Sequence, residues 1–436
     1  LRLERSCVQA MQGLRSMKLP VLILIIVAIM LIGIIVVSPG EETVLSEAGS
    51  IDAYFCPRER CMEVLLPLID SAGEIKCAFY ELNLPEIESM LREKGADVVI
   101  EDSEAIEGFT SHYSPALMHN KFCVFDSEIV WTGSMNPTEN DNFRNNNNII
   151  IIRSRSIAEN YLDEFEELKR GEHGKGGKVR NTGVQLGGIP VENYFCPEDN
   201  CKLQVLQELK AAKSSAYFMT FSFTDEDIAN QLYNLWHEGL DVRGVFEKRQ
   251  ESSYSQFSGL SEFSILDRNP GTMHHKVFII DNATVITGSF NPTKNANERN
   301  DENIIIIHDA AIAGKFVEEF EILREADYER VEEGQLKIQE VLYNPDGKDE
   351  GNEQIILHNQ GDEELDLSYY FISDNSTNTR LSGKIGADGL FSVSPRFSLK
   401  NKQGVIILKE GLLPIDKLAW DGRCAKGMRR DGSCIG

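Results

Sequence analysis

Apolar and polar positions along this chain fall into blocks that come twice. After Cys56-Pro-x-x-x-Cys61, and again after Cys196-Pro-x-x-x-Cys201, the pattern predicts a helix (Met62 to Ala72; Leu203 to Ala212) and an alternating strand (Ile75 to Leu82; Ser215 to Phe223). A second helix follows each strand (Pro85 to Lys94; Asp225 to His237). Tyr54-Phe55-Cys56-Pro57 recurs as Tyr194-Phe195-Cys196-Pro197, and His119 to Leu168 aligns without a gap onto His274 to Leu323 at a constant offset of 155. So long a period is foreign to solenoids, and each copy should form one half of a pseudo-two-fold α/β unit. The runs Ile149 to Ile152 and Ile304 to Ile307 predict strands buried on both faces.

Glycine-rich Gly171-Glu-His-Gly-Lys-Gly-Gly177 and Gly187-Gly188 predict a flexible connection between a first half over 49–180 and a second over 189–332. Over 336–422 short alternating strands (Leu336 to Leu342, Gln354 to His358, Gly404 to Lys409) separated by turns predict a small all-β, immunoglobulin-like sandwich. A tail over 423–436 would be closed by Cys424 and Cys434. At the other end, Leu19 to Val37 is apolar apart from Pro20 and Gly33, close to the roughly 20 residues that cross a bilayer core. Arg2, Arg5, Arg15 and Lys18 precede it, so a transmembrane signal anchor over 19–38 is expected, with 1–18 cytoplasmic and the bulk extracytoplasmic. A cleaved signal peptide is the rival reading, and Met17-Lys18 marks the first sixteen residues as a possible start-site artefact.

Composition narrows the function. Lys and Arg number 44 against 69 Asp and Glu, a formal charge of −25, which excludes a protein that coats nucleic acid over its whole surface. Cysteine spacing suits an oxidising exterior, with short-loop disulfides Cys56–Cys61, Cys196–Cys201 and Cys424–Cys434. A zinc site is the alternative for the tight pairs, although neither has a neighbouring pair to complete four ligands. Cys77 and Cys123 lie in strand-like runs and read as buried small hydrophobes, while His112, His237, His308 and His358 read as surface residues.

The repeated block carries the candidate chemistry. In the first copy His119-Asn-Lys121 is followed by Asp126 and Gly133-Ser134-Met-Asn136; in the second, His274-His-Lys276 is followed by Asp281 and Gly288-Ser289-Phe-Asn291. Residues two apart on a strand share a face, so each histidine and its lysine point the same way. Ser134, Asn136, Ser289 and Asn291 follow a glycine at the end of the next strand, within reach of the same point. Two such clusters around one cavity suit a phosphodiester, its oxygens neutralised by cations and its exchange served by two imidazoles. Asp126 and Asp281, five residues past the lysines, are expected to brace turns.

This spacing of HxK, four residues, D, six residues and GSxN resembles the signature of the phospholipase D superfamily, over about Ser50 to Arg330. The compact halves look like its short nuclease and phosphodiesterase members. The resemblance implies that one histidine attacks phosphorus, the other protonates the leaving oxygen, and water then releases the phosphohistidine, with no metal or other cofactor. It further implies that the residue 28 positions beyond each histidine, Asn147 or Glu302, reaches across to the opposite half's ring. Glu302 would then orient His119 as nucleophile, leaving His274, opposite Asn147, as general acid. One chain suffices for a complete site.

For the substrate, Lys248, Arg249, Lys294, Arg299 and Arg144 predict a locally basic rim for a nucleic-acid backbone. A nuclease is therefore placed ahead of phospholipid head-group hydrolysis, which the anchor favours but no aromatic or amphipathic insertion loop supports. A non-catalytic, membrane-tethered binding protein is the third reading, opposed by two complete motifs. The C-terminal segment resembles a lamin-tail-type domain through Ile338-x-Glu340-Val341-x-Tyr343-Asn344-Pro345, Gly351-Asn352-Glu353 and Trp420-Asp421-Gly422. That implies a module contacting nucleic acid, envelope or another protein. Asp346, Asp349, Glu350 and Glu353 match no EF-hand and read as a solvated turn, and Asn375-Ser-Thr377 is a glycosylation sequon.

Overall fold

A computed structural model of the chain describes residues 45–326, 334–346 and 352–435. The expected anchor over 19–38 lies outside them, and among the described residues no helix is long and apolar enough to cross a membrane.

Each half is built on one mixed sheet. The first has six strands in the order Ser50–Cys56, Asn147–Arg153, Ile129–Gly133, Lys121–Phe125, Ile75–Phe79, Asp97–Ile100. The second has nine, with the same core order Ile189–Cys196, Glu302–His308, Thr284–Gly288, Lys276–Ile280, Ser215–Thr220, Asp241–Phe246. The isoleucine runs show why both sheets are covered on two faces. Ile149 and Ile151 join a core with helices Cys61–Ser71 and Pro85–Glu93, whereas Ile150 and Ile152 join the core that both halves share. In the second half Ile304 and Ile306 face helices Cys201–Ala211 and Glu226–His237, and Ile305 and Ile307 face the shared core. Helices Arg155–Lys169 and Ala310–Glu325 supply Tyr161, Phe165, Phe316 and Phe320 to that shared core, which welds the halves together.

Part of the expected flexible connection is ordered sheet. Gly187 and Gly188 adopt φ of 60° and 94°, the left-handed pair that a two-residue hairpin turn requires, and they join Gly183–Leu186 to Ile189–Cys196. Leu45–Glu47 pairs in parallel with Gly183–Leu186, so a strand preceding the first half adds to the sheet of the second. Cys56–Cys61, Cys196–Cys201 and Cys424–Cys434 are disulfides, which removes the zinc alternative. Cys77 and Cys123 are disulfide-bonded as well: they sit directly opposite on antiparallel strands, a juxtaposition that single-strand patterning does not reveal.

The C-terminal segment forms a five-stranded and a four-stranded antiparallel sheet around one apolar cluster that includes Ile338, Leu357, Ile372, Leu408 and Trp420. Tyr343 stacks on Trp420 at 5.0 Å, and its hydroxyl donates to the Cys424 carbonyl. The tail is not separate from this unit, because Gly427–Arg429 pairs with Glu340 to Leu342 and Cys434–Ile435 extends the same sheet. The segment docks on the first half: Phe143 meets Tyr369 and Phe371 edge-on, and Arg380 lies over the Phe143 ring at 3.9 Å.

Two-sided burial of the central strands is open to measurement. Ile150→Ala and Ile151→Ala should each lower stability by about 2–5 kcal/mol in chemical denaturation, although adjacent side chains point to opposite faces.

Candidate active site

Each motif histidine stands just before its strand, and the opposite half fixes it first through the backbone. His119 N–H donates to the Asp301 carbonyl at 3.0 Å, and His274 N–H to the Asn146 carbonyl at 2.8 Å. The glycines of the two GSxN turns hold φ of 143° and 145°, and a Cβ there would meet the Asn148 or Asn303 carbonyl at 2.3 or 2.2 Å. Only glycine lets the turn approach the strand that carries Asn147 or Glu302.

The side chains then converge. His119 Nδ1 lies 2.7 Å from Glu302 Oε2, across the halves. His274 Nδ1 lies 3.0 Å from Asn147 Oδ1, which also accepts from the Ser134 hydroxyl at 2.9 Å, so Nδ1 is the protonated ring nitrogen. Lys121 and Lys276 each donate from Nζ to the carbonyl of their own histidine at 2.7 Å. Their ammonium groups lie 5.1 Å from the rings of Tyr80 and Phe221, which contact His119 and His274 edge-on. Beneath, Asn303 Nδ2 donates to Asn120 Oδ1 and Asn148 Nδ2 to Thr287 Oγ1, both at 2.8 Å, while His275 Nδ1 meets Asn148 Oδ1 at 3.1 Å. This buried polar seam fixes the register of the halves and was not foreseen from sequence.

Two assignments change. Ser134 and Ser289 are fully buried, and each gives its one proton to Asn147 or Glu302 while accepting the N–H of Asn148 or Asn303 at 3.0 Å. They brace the residues that hold the histidines and have no donor left for a phosphate. Asn136 gives both its backbone N–H and its amide to Asp141 Oδ2, at 2.7 and 2.9 Å; Asn291 Oδ1 accepts only a long contact of 3.4 Å from Ser222 N and lines the cavity. Asp126 accepts the N–H groups of Gly73 and Glu74, and Asp281 those of Lys213, Ser214 and Ser215, so both brace turns away from the cluster.

Sequence reading also left His274 without a carboxylate. Asp141 Oδ2 lies 3.5 Å from its Nδ1. Comparing the copies position by position could have found it, since Asp141 aligns with Ala296 at the same offset that pairs Asn147 with Glu302.

Burial dominates the electrostatics. It pushes Glu302 up to about 8, with Lys121 pulling back, and it pushes His119 well below its ordinary value, helped by Lys121 and Lys276. Both shifts keep the His119–Glu302 pair at zero net charge in the empty site. Burial and then Lys276 bring His274 down to about 3; burial lowers Lys121 to about 8 and, with Lys121 beside it, depresses Lys276 strongly. Burial would raise Asp141, but the His274 ring and the hydrogen bonds from Asn145 and Asn136 hold it well below the usual carboxylate range. Each lysine acts on the histidine of the other half, so the two motifs form one electrostatic unit. A cavity of about 730 Å³ opens beside it, lined by His119, Glu302, Ser222, Asn291, Thr293 and Tyr254 among others.

A duplicated α/β unit whose halves each bring a histidine and a lysine to one buried cluster, with His119 opening onto a cavity, has counterparts among known proteins. The family model described as "Cardiolipin synthase, PLD-like domain" matches residues 78–169 and 205–324. The phospholipase D of Rickettsia prowazekii is 33% identical over 138 residues, 31% of this chain and 67% of that protein. The human mitochondrial cardiolipin hydrolase is 32% identical over 155 residues, 33% of this chain and 59% of that protein. Among solved structures, the phospholipase D family member Nuc from Salmonella typhimurium is 33% identical, covering 31% of this chain and 93% of its own at a TM-score of 0.29. The phosphatidylserine synthase of Haemophilus influenzae is 12% identical over 63% of this chain and 85% of its own, at 0.49. The class is that of the phosphodiesterases, and the chain belongs to the phospholipase D superfamily.

The raised proton affinity of Glu302 has a consequence for stability. Between its ordinary value of 4.5 and its folded value of about 8 the folded chain holds a proton that the unfolded chain has released. That contribution is complete below 4.5 and is lost as pH rises through 8. Denaturation of Glu302→Gln across this window should show a shallower fall of stability with pH than the parent chain.

Proposed function

We propose that the chain hydrolyses phosphodiesters through a phosphohistidine on His119. The observation that carries this reading is the 2.7 Å contact from Glu302 to His119 Nδ1 at the floor of an open cavity. When Nδ1–H is donated to Glu302, Nε2 is bare and can attack phosphorus. The N–P bond forms as the P–O bond breaks, and His274 gives its Nε2 proton to the departing oxygen. Water then attacks phosphorus, His274 takes a proton from it, and the N–P bond breaks to regenerate His119. Lys121 and Lys276 neutralise the non-bridging oxygens. A bound anion restores the protons that burial removes from these lysines and from His274, so substrate binding itself charges the site.

On substrate class we place phospholipid head-group hydrolysis ahead of the nuclease expected from sequence. Two of the rim cations are engaged within the fold: Lys248 donates to the Asn269 carbonyl, and Arg249 to the Gly271 and Pro270 carbonyls and the Thr272 hydroxyl. Arg299 reaches the Pro115 carbonyl at 3.4 Å and Lys294 pairs with Glu298 at 3.8 Å. The cavity lining brings hydroxyls and amides together with the carboxyl groups of Glu226 and Glu302, with no lysine or arginine among the described residues, and carries exposed Tyr254 and Leu117. Such walls fit a single diester with a small polar head group, as in a phospholipid, better than a polyanionic backbone that needs many cations. Anchoring by 19–38 with an extracytoplasmic catalytic part, and a lamin-tail-type immunoglobulin-like sandwich over 336–422 as a partner-binding module, complete the proposal. The oxidised cysteine pairs and the two sheets around one apolar core support these two points.

The full-length chain, assayed in detergent with EDTA on phospholipid vesicles, single-stranded DNA and double-stranded DNA, should cleave phospholipid. His119→Ala should lose at least about 10³-fold. Acid-quenched turnover of a slow diester should leave phosphate on a His119 peptide. Label on His274 would refute the assignment, and loss of activity with EDTA would refute the metal-free mechanism.

A further inference from the structure

Two positions that face the histidine Nδ1 atoms differ between the halves, and the differences offset each other. At the constant offset of 155, His119/His274, Lys121/Lys276, Ser134/Ser289 and Asn136/Asn291 are identical pairs. Position 147 is Asn where 302 is Glu, and position 141 is Asp where 296 is Ala. Each half therefore supplies one carboxylate, from a different place in the repeat. Both are buried and both address the histidine of the other half: Glu302 on His119 at 2.7 Å, Asp141 on His274 at 3.5 Å.

We infer that Asp141 is the positioning residue for His274, supplying from helix Glu139–Phe143 the negative charge that Asn147 cannot. The inference rests on the phosphohistidine reading and deepens it. The local structure favours this role. Thr138 caps the short helix by accepting Asp141 N–H at 3.2 Å, as Thr293 accepts Ala296 N–H in the second half, so the backbone turn forms with or without an acid at this position. The carboxylate is held in place by Asn136 on Oδ2 and by Asn145 Nδ2 on Oδ1 at 2.6 Å. Its Oδ2 stands within reach of the same Nδ1–H that Asn147 Oδ1 accepts. A neutral amide orients that ring but does nothing for a proton on Nε2; an anion on the Nδ1 side stabilises the imidazolium that must exist before the leaving oxygen is protonated. Around His274, Lys276 and Lys121 oppose that proton and Asp141 alone among the charged neighbours favours it. Around Asp141 stand Glu81, Lys121, Lys276 and His119 besides His274.

The test uses the full-length chain and the kcat profile against pH on a phosphodiester with a poor leaving group, where protonation by His274 limits the rate. Asp141→Asn keeps one acceptor oxygen for the Asn136 N–H and removes the charge together with the Asn145 hydrogen bond on the second oxygen. It should lower kcat about 10- to 100-fold, leave KM nearly unchanged, and move the alkaline limb about one pH unit lower. The pair Asp141→Ala with Asn147→Glu gives the first half the pattern of the second and should recover most of the lost rate and the original limb. With a p-nitrophenolate leaving group, which needs no proton, the pre-steady-state burst of p-nitrophenolate should lose far less in Asp141→Asn than turnover does, because His274 then acts only as base in the later hydrolysis of the phosphohistidine. If Asp141→Asn keeps the parental rate and limb while His119→Ala is inactive, this inference is overturned and the phosphohistidine reading stands. If the double variant is as slow as Asp141→Ala alone, Asp141 is a brace and nothing more. If the parent chain cleaves no diester, both readings fall.

Discussion

Each motif histidine of this protein is carried by one half and held by the other. His119 sits on the first half, yet its backbone N–H and its Nδ1 are fixed by Asp301 and Glu302; His274 sits on the second and is fixed by Asn146 and Asn147. Such crossed support cannot exist unless the halves meet in one register. The shared apolar core gives that meeting its strength and the buried Asn120–Asn303 and Asn148–Thr287 hydrogen bonds give it its register, because a slip would leave amides unpaired away from water. The asparagines thus hold the alignment on which the histidines depend.

A cavity that buries two lysines, two histidines and two carboxylates is costly when empty. The structure meets this by holding the lysines and rings toward their neutral forms and keeping the His119–Glu302 pair at zero net charge. On the proposed reading, the negative charge of a phosphodiester opposes each of these shifts and favours charged lysines and a protonated His274. Preorganisation here is an electrostatic deficit that only an anion fills.

The fold was legible where it repeats. The isoleucine runs, the paired Cys-Pro blocks and the ungapped alignment of residues 119–168 with 274–323 define two equivalent sheets, and period-two alternation puts histidine and lysine on one face. What could not be read were contacts between elements distant in sequence. Cys77 faces Cys123 only because their strands pair, Ser134 and Ser289 turn inward because the GSxN glycines bring them against a strand, and Asp141 meets His274 only across the interface. The basic rim was only partly legible for a related reason: sequence shows that a residue is cationic but not which carbonyl it already serves, and Arg249 is held by the loop of Pro270 to Thr272.

The C-terminal sheets add an asymmetry that the repeat lacks. Tyr369, Phe371 and Arg380 pack on Phe143, at the end of the short helix that bears Asp141, and Arg60 joins Glu410 at 2.9 Å. The equivalent helix of the second half, Lys294–Glu298, stands at the cavity, which Asn295 and Ala296 line. The added segment therefore packs beside only one of the two short helices, while the histidines themselves are about equally exposed, His119 at 8% and His274 at 9%. The cavity lies beside His119, the proposed nucleophile, and Asp141, which faces His274, lies on the helix that the added segment packs against, a packed setting where a fixed charge acts strongly. The duplication supplied two equal histidines, and the segment docked on one side gives the helix beside one of them different surroundings.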